Sequence, residues 1–302
     1  MQKKLIRLSS LILILIMIFS LSSFTVGAEE SADARSVAYR SYLSVTGVKS
    51  KTVSSYSSLN VYEGGVREGY SARLILDTVY IPLNRFIESI ESVSSTYNAQ
   101  TRTLSVKGAG HNISVSDGAF VLYASDRPIF SMTPSAVLSD GNMYVPLSTV
   151  EKAFSIKGSL SGKSLYLTGS PKALTAASRF YREDEVYWLA RIINAESRGE
   201  PLLGQIAVGN VVLNRVRSSQ YPNTIWSVIF DKKYGVQFSP ILDGSIYNEP
   251  TYTAILAAKI SLEGFTVSDE ALFFLYPSAS TSSWIPRNRE YAFSIGNHDF
   301  YK

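Results

Sequence analysis

The chain has 302 residues, with 29 Lys+Arg against 25 Asp+Glu, no cysteine and two histidines, His111 and His298. Without cysteine there is no disulfide framework, no thiolate metal site and no cysteine nucleophile. Two histidines far apart in sequence argue against an imidazole-built zinc or copper centre, and a net charge of +4 is too weak a footprint for nucleic acid.

The chain begins with basic residues Lys3, Lys4 and Arg7, then an apolar run from Leu11 to Phe24, then Val26-Gly27-Ala28. That order of basic, apolar and small residues is that of a secretory signal, so export is expected, with residues 1–28 removed. The apolar run is short for a membrane anchor. Removing the signal takes away three basic residues and no acid, which brings the charges close to balance. Residues 29–70 are rich in Ser, Thr, Tyr and Gly, as in Ser54-Ser55-Tyr56-Ser57-Ser58, and read as a linker or loosely ordered lead-in.

Residues 71–169 contain an internal repeat. Thr78-Val79-Tyr80-Ile81-Pro82-Leu83 is echoed 64 residues on (78 to 142) by Asn142-Met143-Tyr144-Val145-Pro146-Leu147. Each copy leads into a short helical run, with Phe86, Ile87 and Ile90 in one and Val150, Ala153 and Phe154 in the other. Alternating strand residues follow each run, so a duplicated, β-rich unit around a shared core is expected. The repeated "YIPL" and "YVPL" resemble the duplicated stalk module labelled a copper amine oxidase N-terminal-like domain. The segment holds only His111 and no cysteine, so the resemblance implies a spacer or wall-interaction module, without copper chemistry.

Residues 170–177 read as a linker, and 178–302 as a mainly helical domain. Glu183-Asp184-Glu185 suit the first turn of a helix whose core face carries Val186, Leu189, Ala190 and Ile193. Pro201 opens a second helix with an apolar stripe of Ile206, Gly209, Leu213 and Val216. Its small residues Gly204, Ala207 and Gly209 allow close packing. A short helix over 224–230, a loop or hairpin over 236–240, a helix over 251–263 and a strand over 271–276 follow.

Glu196 lies three residues after Ile193 and extends the core face of the first of these helices. A carboxyl aimed at a core is costly unless chemistry uses it, and burial raises its pKa toward that of a general acid. The alternative is a buried ion pair with Arg191 or Arg198. Glu200 is the possible second carboxylate, although Gly199 and Pro201 favour its use as a cap of the next helix. Gln237 and Ser239 suit hydrogen bonds to sugar hydroxyl or N-acetyl groups. Phe238, Tyr276, Trp284 and Tyr301 offer ring faces to substrate. His298 reads better as a hydrogen-bonded structural residue than as a second catalytic group.

The strings "LARIINAESRGEP", "GQIAVGNVVLNRV", "YPNTIWSVIF", "QFSPILDGSI", "ALFFLYPSAS" and "IGNHDFY" occur in this order. Together they resemble the SleB/CwlJ-type cell wall hydrolase family across nearly all of residues 178–302. The resemblance implies a lysozyme-related helical fold. It also implies lytic transglycosylase cleavage between N-acetylmuramic acid and N-acetylglucosamine, often in spore germination, with the catalytic acid at Glu196. Ser197 stands where the family commonly has alanine, and Tyr276 where it often has asparagine before proline. The fold class expected is α+β, a small duplicated stalk-like domain followed by the helical catalytic domain. Peptidoglycan strands are the expected partner at the wall or spore, with wall or spore-coat proteins for the stalk-like domain, and no cofactor or metal is expected. An N-acetylmuramoyl-L-alanine amidase, a water-using muramidase and a non-catalytic wall-binding module stay open as alternatives.

Overall fold

The computed structural model describes residues 56–302, apart from 76, 133–135, 234, 279 and 281–282. The expected signal at 1–28 and most of the expected lead-in lie outside the described residues. The chain is α+β, with a β-rich first part and a mainly helical second part.

The first part contains strands β1 (Ser57–Glu63), β2 (Val66–Ile75), β3 (Thr78–Pro82), β4 (Val93–Asn98), β5 (Thr103–Gly108) and β6 (His111–Ser116). They are followed by β7 (Val121–Ala124), β8 (Arg127–Phe130), β9 (Val137–Ser139), β10 (Asn142–Pro146), β11 (Lys157–Ser161) and β12 (Ser164–Thr168). Helix α1 (Leu83–Phe86) follows β3, and α2 (Leu147–Phe154) follows β10. One sheet runs β11-β12-β1-β2-β3-β10-β9 and the other β4-β5-β6-β7-β8.

The repeat explains the centre of the larger sheet. Strands β3 and β10 pair antiparallel with Val145 opposite Ile81, Pro146 opposite Tyr80 and Tyr144 opposite Pro82. Equivalent residues of the two copies thus meet about a local two-fold axis between Ile81 and Val145, and both are fully buried. The helices after them bring Phe86 and Phe154 edge to face at 5.0 Å. The expected lead-in is corrected over residues 57–70, which are β1 and the start of β2. Leu59 and Val61 alternate inward into the core, and the serines around them masked a period-2 pattern.

The second part is built on α3 (Ala177–Phe180), α4 (Glu183–Ser197), α5 (Leu202–Arg217), α6 (Ile225–Ile229), α7 (Pro240–Asp243), α8 (Tyr252–Leu262) and α9 (Trp284–Asn288). Strands β13 (Phe273–Leu275), β14 (Tyr291–Ile295) and β15 (His298–Tyr301) form a small sheet of order β13-β15-β14. The tail, read in the sequence only as a motif, is therefore a hairpin. Helix α5 is buried along nearly its whole length, its apolar residues in the core and its buried Gln205, Asn210, Asn214 and Arg215 in hydrogen bonds. A Cβ on Gly209 would come within 2.8 Å of Ser261 Oγ and 2.9 Å of Ile193 Cδ1, so glycine is what lets α4, α5 and α8 approach. The polar residues of α5 hold the chain that follows α8. Asn210 bonds to Phe265 O and Val267 N, and Asn214 to Ser268 O and Ala271 O.

The two parts are joined by a buried ionic cluster. The Glu263 carboxylate, 1% exposed, accepts Arg127 Nε at 2.8 Å, Arg127 Nη2 at 2.9 Å and Tyr181 Oη at 2.6 Å, with Lys152 Nζ at 3.0 Å. Burial pushes this carboxyl up, but the hydrogen bonds from Arg127, Tyr181 and Lys152 outweigh burial and hold it below the usual value. Phe130 packs edge to face on Phe265 at 4.7 Å, and the Tyr123 and Tyr252 hydroxyls bond at 2.9 Å. Arg127 and Lys152 come from β8 and α2, so the stalk-like part is docked on the helical part rather than strung beside it.

Candidate active site

Glu196 lies in the last turn of α4. The Ser197 hydroxyl folds back onto the Ile193 carbonyl at 2.7 Å, and Arg198 closes the helix. Glu196 is partly buried, and among the described residues its carboxyl takes part in no ion pair or hydrogen bond. The ion-pair alternative fails on geometry. Arg191 donates to Tyr247 O at 2.5 Å, Asn248 O at 2.6 Å and Glu249 Oε1 at 2.7 Å, while Arg198 is exposed.

Burial is the main force on this carboxyl. It pushes the pKa up, the negative charge of Asp243 pushes it further, the Arg215 charge pulls it back, and the balance is about 7. At neutral pH the group is close to half protonated, so it can both give and take a proton.

Arg215 is a site residue beyond those expected from the sequence. It sits in the last turn of α5, 5% exposed, with Nε donating to Leu272 O at 2.8 Å and Nη1 without a partner among the described residues. Its guanidinium lies 5.1 Å from the Tyr221 ring, 5.1 Å from Phe238 and 5.5 Å from Phe273. The signal was present, because Arg215 continues the inward stripe of Val208 and Val212 at helical spacing. Asp243, the exposed last residue of α7, is a second such residue. Its side chain accepts the Ser245 amide at 2.8 Å.

The other expected residues divide into groups. Phe238 is 2% exposed and packs on Arg215 and on Phe274, so its ring is a core element and not an open platform. Gln237 donates to Gly235 O at 3.0 Å, and exposed Ser239 precedes α7. Thus 237–239 lead straight into the helix that carries Asp243. Tyr276 is 42% exposed beside His298, and Trp284 is 52% exposed between Phe273 and Arg289. Tyr301 is 6% exposed against Tyr291, which removes it as an open sugar platform.

Glu200 neither caps α5 nor partners Glu196. Its carboxylate accepts the Asn297 amide at 2.9 Å and Asn297 Nδ2 at 3.0 Å, and His298 Nδ1 lies 3.7 Å away. Gly296, at φ +59, makes this possible, because a Cβ there would run into the Glu200 carboxylate. Burial lowers the pKa of His298, with Glu200 and Asp299 opposing. The pair anchors the tail hairpin to the α4–α5 turn.

The chain was compared with known protein families and structures. A cell wall hydrolase family matches residues 199–301, and a copper amine oxidase N-terminal domain family matches residues 70–167. Glu196 lies three residues before the first of these spans. The spore cortex-lytic enzyme of Bacillus cereus is 39% identical over 122 residues, covering 40% of this chain and 46% of that protein. The chain thus spans about half the length of that relative. Cell wall hydrolase CwlJ of Oceanobacillus iheyensis is 31% identical over 111 residues, covering 34% of this chain and 77% of that one. A solved structure, the catalytic domain of the germination-specific lytic transglycosylase SleB from Bacillus anthracis, is 39% identical. It covers 40% of this chain and 97% of its own, with a TM-score of 0.37. Copper does not fit the first part. His111 is buried against Phe154 at 4.9 Å, and no group of three His, Cys, Asp or Glu able to hold a metal occurs among the described residues. From the match across most of the hydrolase's length, and from the family span over its helical part, the chain belongs to the cell wall hydrolase family.

Proposed function

We propose that this chain cuts peptidoglycan glycan strands between N-acetylmuramic acid and N-acetylglucosamine by lytic transglycosylation, with Glu196 as the single proton carrier. The observation that carries this reading is the partly buried Glu196 carboxyl, without an ion-pair or hydrogen-bond partner among the described residues and with its pKa raised to about 7. A protonated Glu196 donates to the leaving glycosidic oxygen as the bond to C1 of the muramic acid breaks. The substrate's N-acetyl oxygen supports the positive charge at C1. The Glu196 carboxylate then takes the proton of the C6 hydroxyl, whose oxygen closes on C1 to give a 1,6-anhydro sugar. The acid ends the cycle protonated, and no water is consumed.

A water-using route needs a second carboxylate. Glu200 is committed to Asn297, which leaves Asp243 as the acid felt by Glu196. The sequence of residues 1–28 and the relatives' spore cortex-lytic names support action outside the cell membrane, at wall or spore. No helix among the described residues is long and apolar enough to cross a membrane.

The test is mass spectrometry of products from purified sacculi. Anhydro-muramic ends, lighter by one water than reducing ends, support the reading. Reducing ends indicate a muramidase, and free stem peptides an amidase. Sedimentation with sacculi and no released product indicates a binding module.

A further inference from the structure

The seven-stranded sheet has one face in the core of the first part. Leu59 and Val61 of β1 and Leu165 and Leu167 of β12 point inward and are buried. The alternate residues face away from that core. On that outer face Tyr62 lies opposite Tyr166 in the parallel β1–β12 pair, and Ser159 of β11 is the next residue in the same row. The two tyrosine rings stack, with centroids 5.1 Å apart and planes 20° apart. Tyr166 is 40% exposed. In the other direction Tyr62 faces Arg67 of β2, whose exposed guanidinium donates to Asn60 Oδ1 at 3.0 Å. Lys157 on β11 adds a second exposed cation.

We propose that this outer face is a glycan-binding platform, with the Tyr62–Tyr166 stack as its centre. Rings, amide and hydroxyls side by side on a rigid sheet match a sugar polymer, whose rings present C–H faces edged by hydroxyl and amide groups. Charge selects the polymer. The residues of β1, β11 and β12 on this face carry no carboxylate, while Arg67 and Lys157 are cationic. Peptidoglycan strands bear stem peptides ending in carboxylates, so the face complements them. The row from β11 to β2 crosses three strand gaps, roughly 14 Å, which is wide enough to hold a strand across the sheet. The Glu263 cluster, through Arg127 of β8 and Lys152 of α2, ties the part that contains this sheet to the catalytic part, so a strand held here is kept near the hydrolase. The proposal rests on the reading above that the chain acts on peptidoglycan.

The test is a sedimentation assay with purified sacculi, using the full chain bearing Glu196→Gln so that the sacculi are not cut. In that background Tyr62→Ala/Tyr166→Ala should weaken binding about tenfold. Tyr62→Trp/Tyr166→Trp should keep binding, and Tyr62→Leu/Tyr166→Leu, which keeps an apolar cross-strand pair without ring faces, should weaken it like alanine, whereas a purely structural pair would tolerate leucine. Arg67→Glu/Lys157→Glu, which alters only exposed side chains, should also weaken binding and remove most of its salt dependence. This second variant serves if the alanine variant fails to fold. Undiminished binding by the charge-reversed variant, or by a folded alanine variant, overturns the platform. Cleavage of soluble glycan fragments by the unaltered chain is scored separately. If the fragments are cut and the variants bind sacculi like their parent, the platform is wrong and the peptidoglycan reading stands. If glycan bonds are not cut but the variants lose binding, the reverse holds.

Discussion

Replacing Glu196 by glutamine should stabilise the protein at alkaline pH while leaving it unchanged at acidic pH. The structure lifts this carboxyl from 4.5 to about 7, mainly by burial. The folded state therefore holds a proton that the unfolded chain gives up above about pH 4.5. Below that pH both states are protonated, and the group contributes no difference. As pH rises toward 7 the folded protein loses stability, and above 7 the loss is complete. The ceiling of that loss is about 3 kcal/mol, reduced by whatever water reaches the partly exposed side chain. Glutamine carries no charge to bury and avoids the loss. For a chain of this size 3 kcal/mol corresponds to a Tm difference of roughly 5–10 °C. Thermal unfolding followed by circular dichroism at pH 4 and pH 8.5 measures it. The reasoning is refuted if Glu196→Gln melts with the wild type at pH 8.5, or if its advantage is the same at both pH values.

Two further outcomes follow from the same geometry. Asp243→Asn removes the negative charge that raises the Glu196 pKa. The alkaline limb of kcat/KM, set by loss of the acid's proton near pH 7, should move down by up to about half a pH unit with activity retained. A loss beyond about a hundredfold would instead make Asp243 a second catalytic carboxylate. Glu263→Gln leaves Arg127 and Lys152 without their buried counter-charge and should cost about 3–5 kcal/mol. Differential scanning calorimetry should show it, with the stalk-like part melting apart from the helical part. An unchanged single transition would mean that the cluster does not couple them.

Much of this was legible in the sequence, for physical reasons that also mark where it stopped. The place of Glu196 at the end of its helix, the helices around it and the duplicated strands could be read because apolar periodicity and Pro201 report local structure directly. The paired centre of the sheet follows from the repeat, since Ile81 and Val145 meet as equivalents. What sequence could not reveal were pairings between distant segments. Glu200 resembled a cap because Pro201 follows it, but its partner Asn297 lies 97 residues away. Phe238 and Tyr301 looked like surface aromatics, and tertiary packing buried them. Helical spacing turns Arg215 inward, but its action on Glu196, like that of Asp243, exists only through the fold. Strand β1 was obscured by its serines, which share a composition with linkers.

The central claim is that one carboxyl, Glu196, carries the proton in both steps. The direct measurement is muropeptide release from sacculi by Glu196→Gln, after circular dichroism shows that it folds. The account predicts a folded protein whose release of anhydro-muropeptides falls by at least about a hundredfold. A folded Glu196→Gln protein that releases them at the wild-type rate would contradict it.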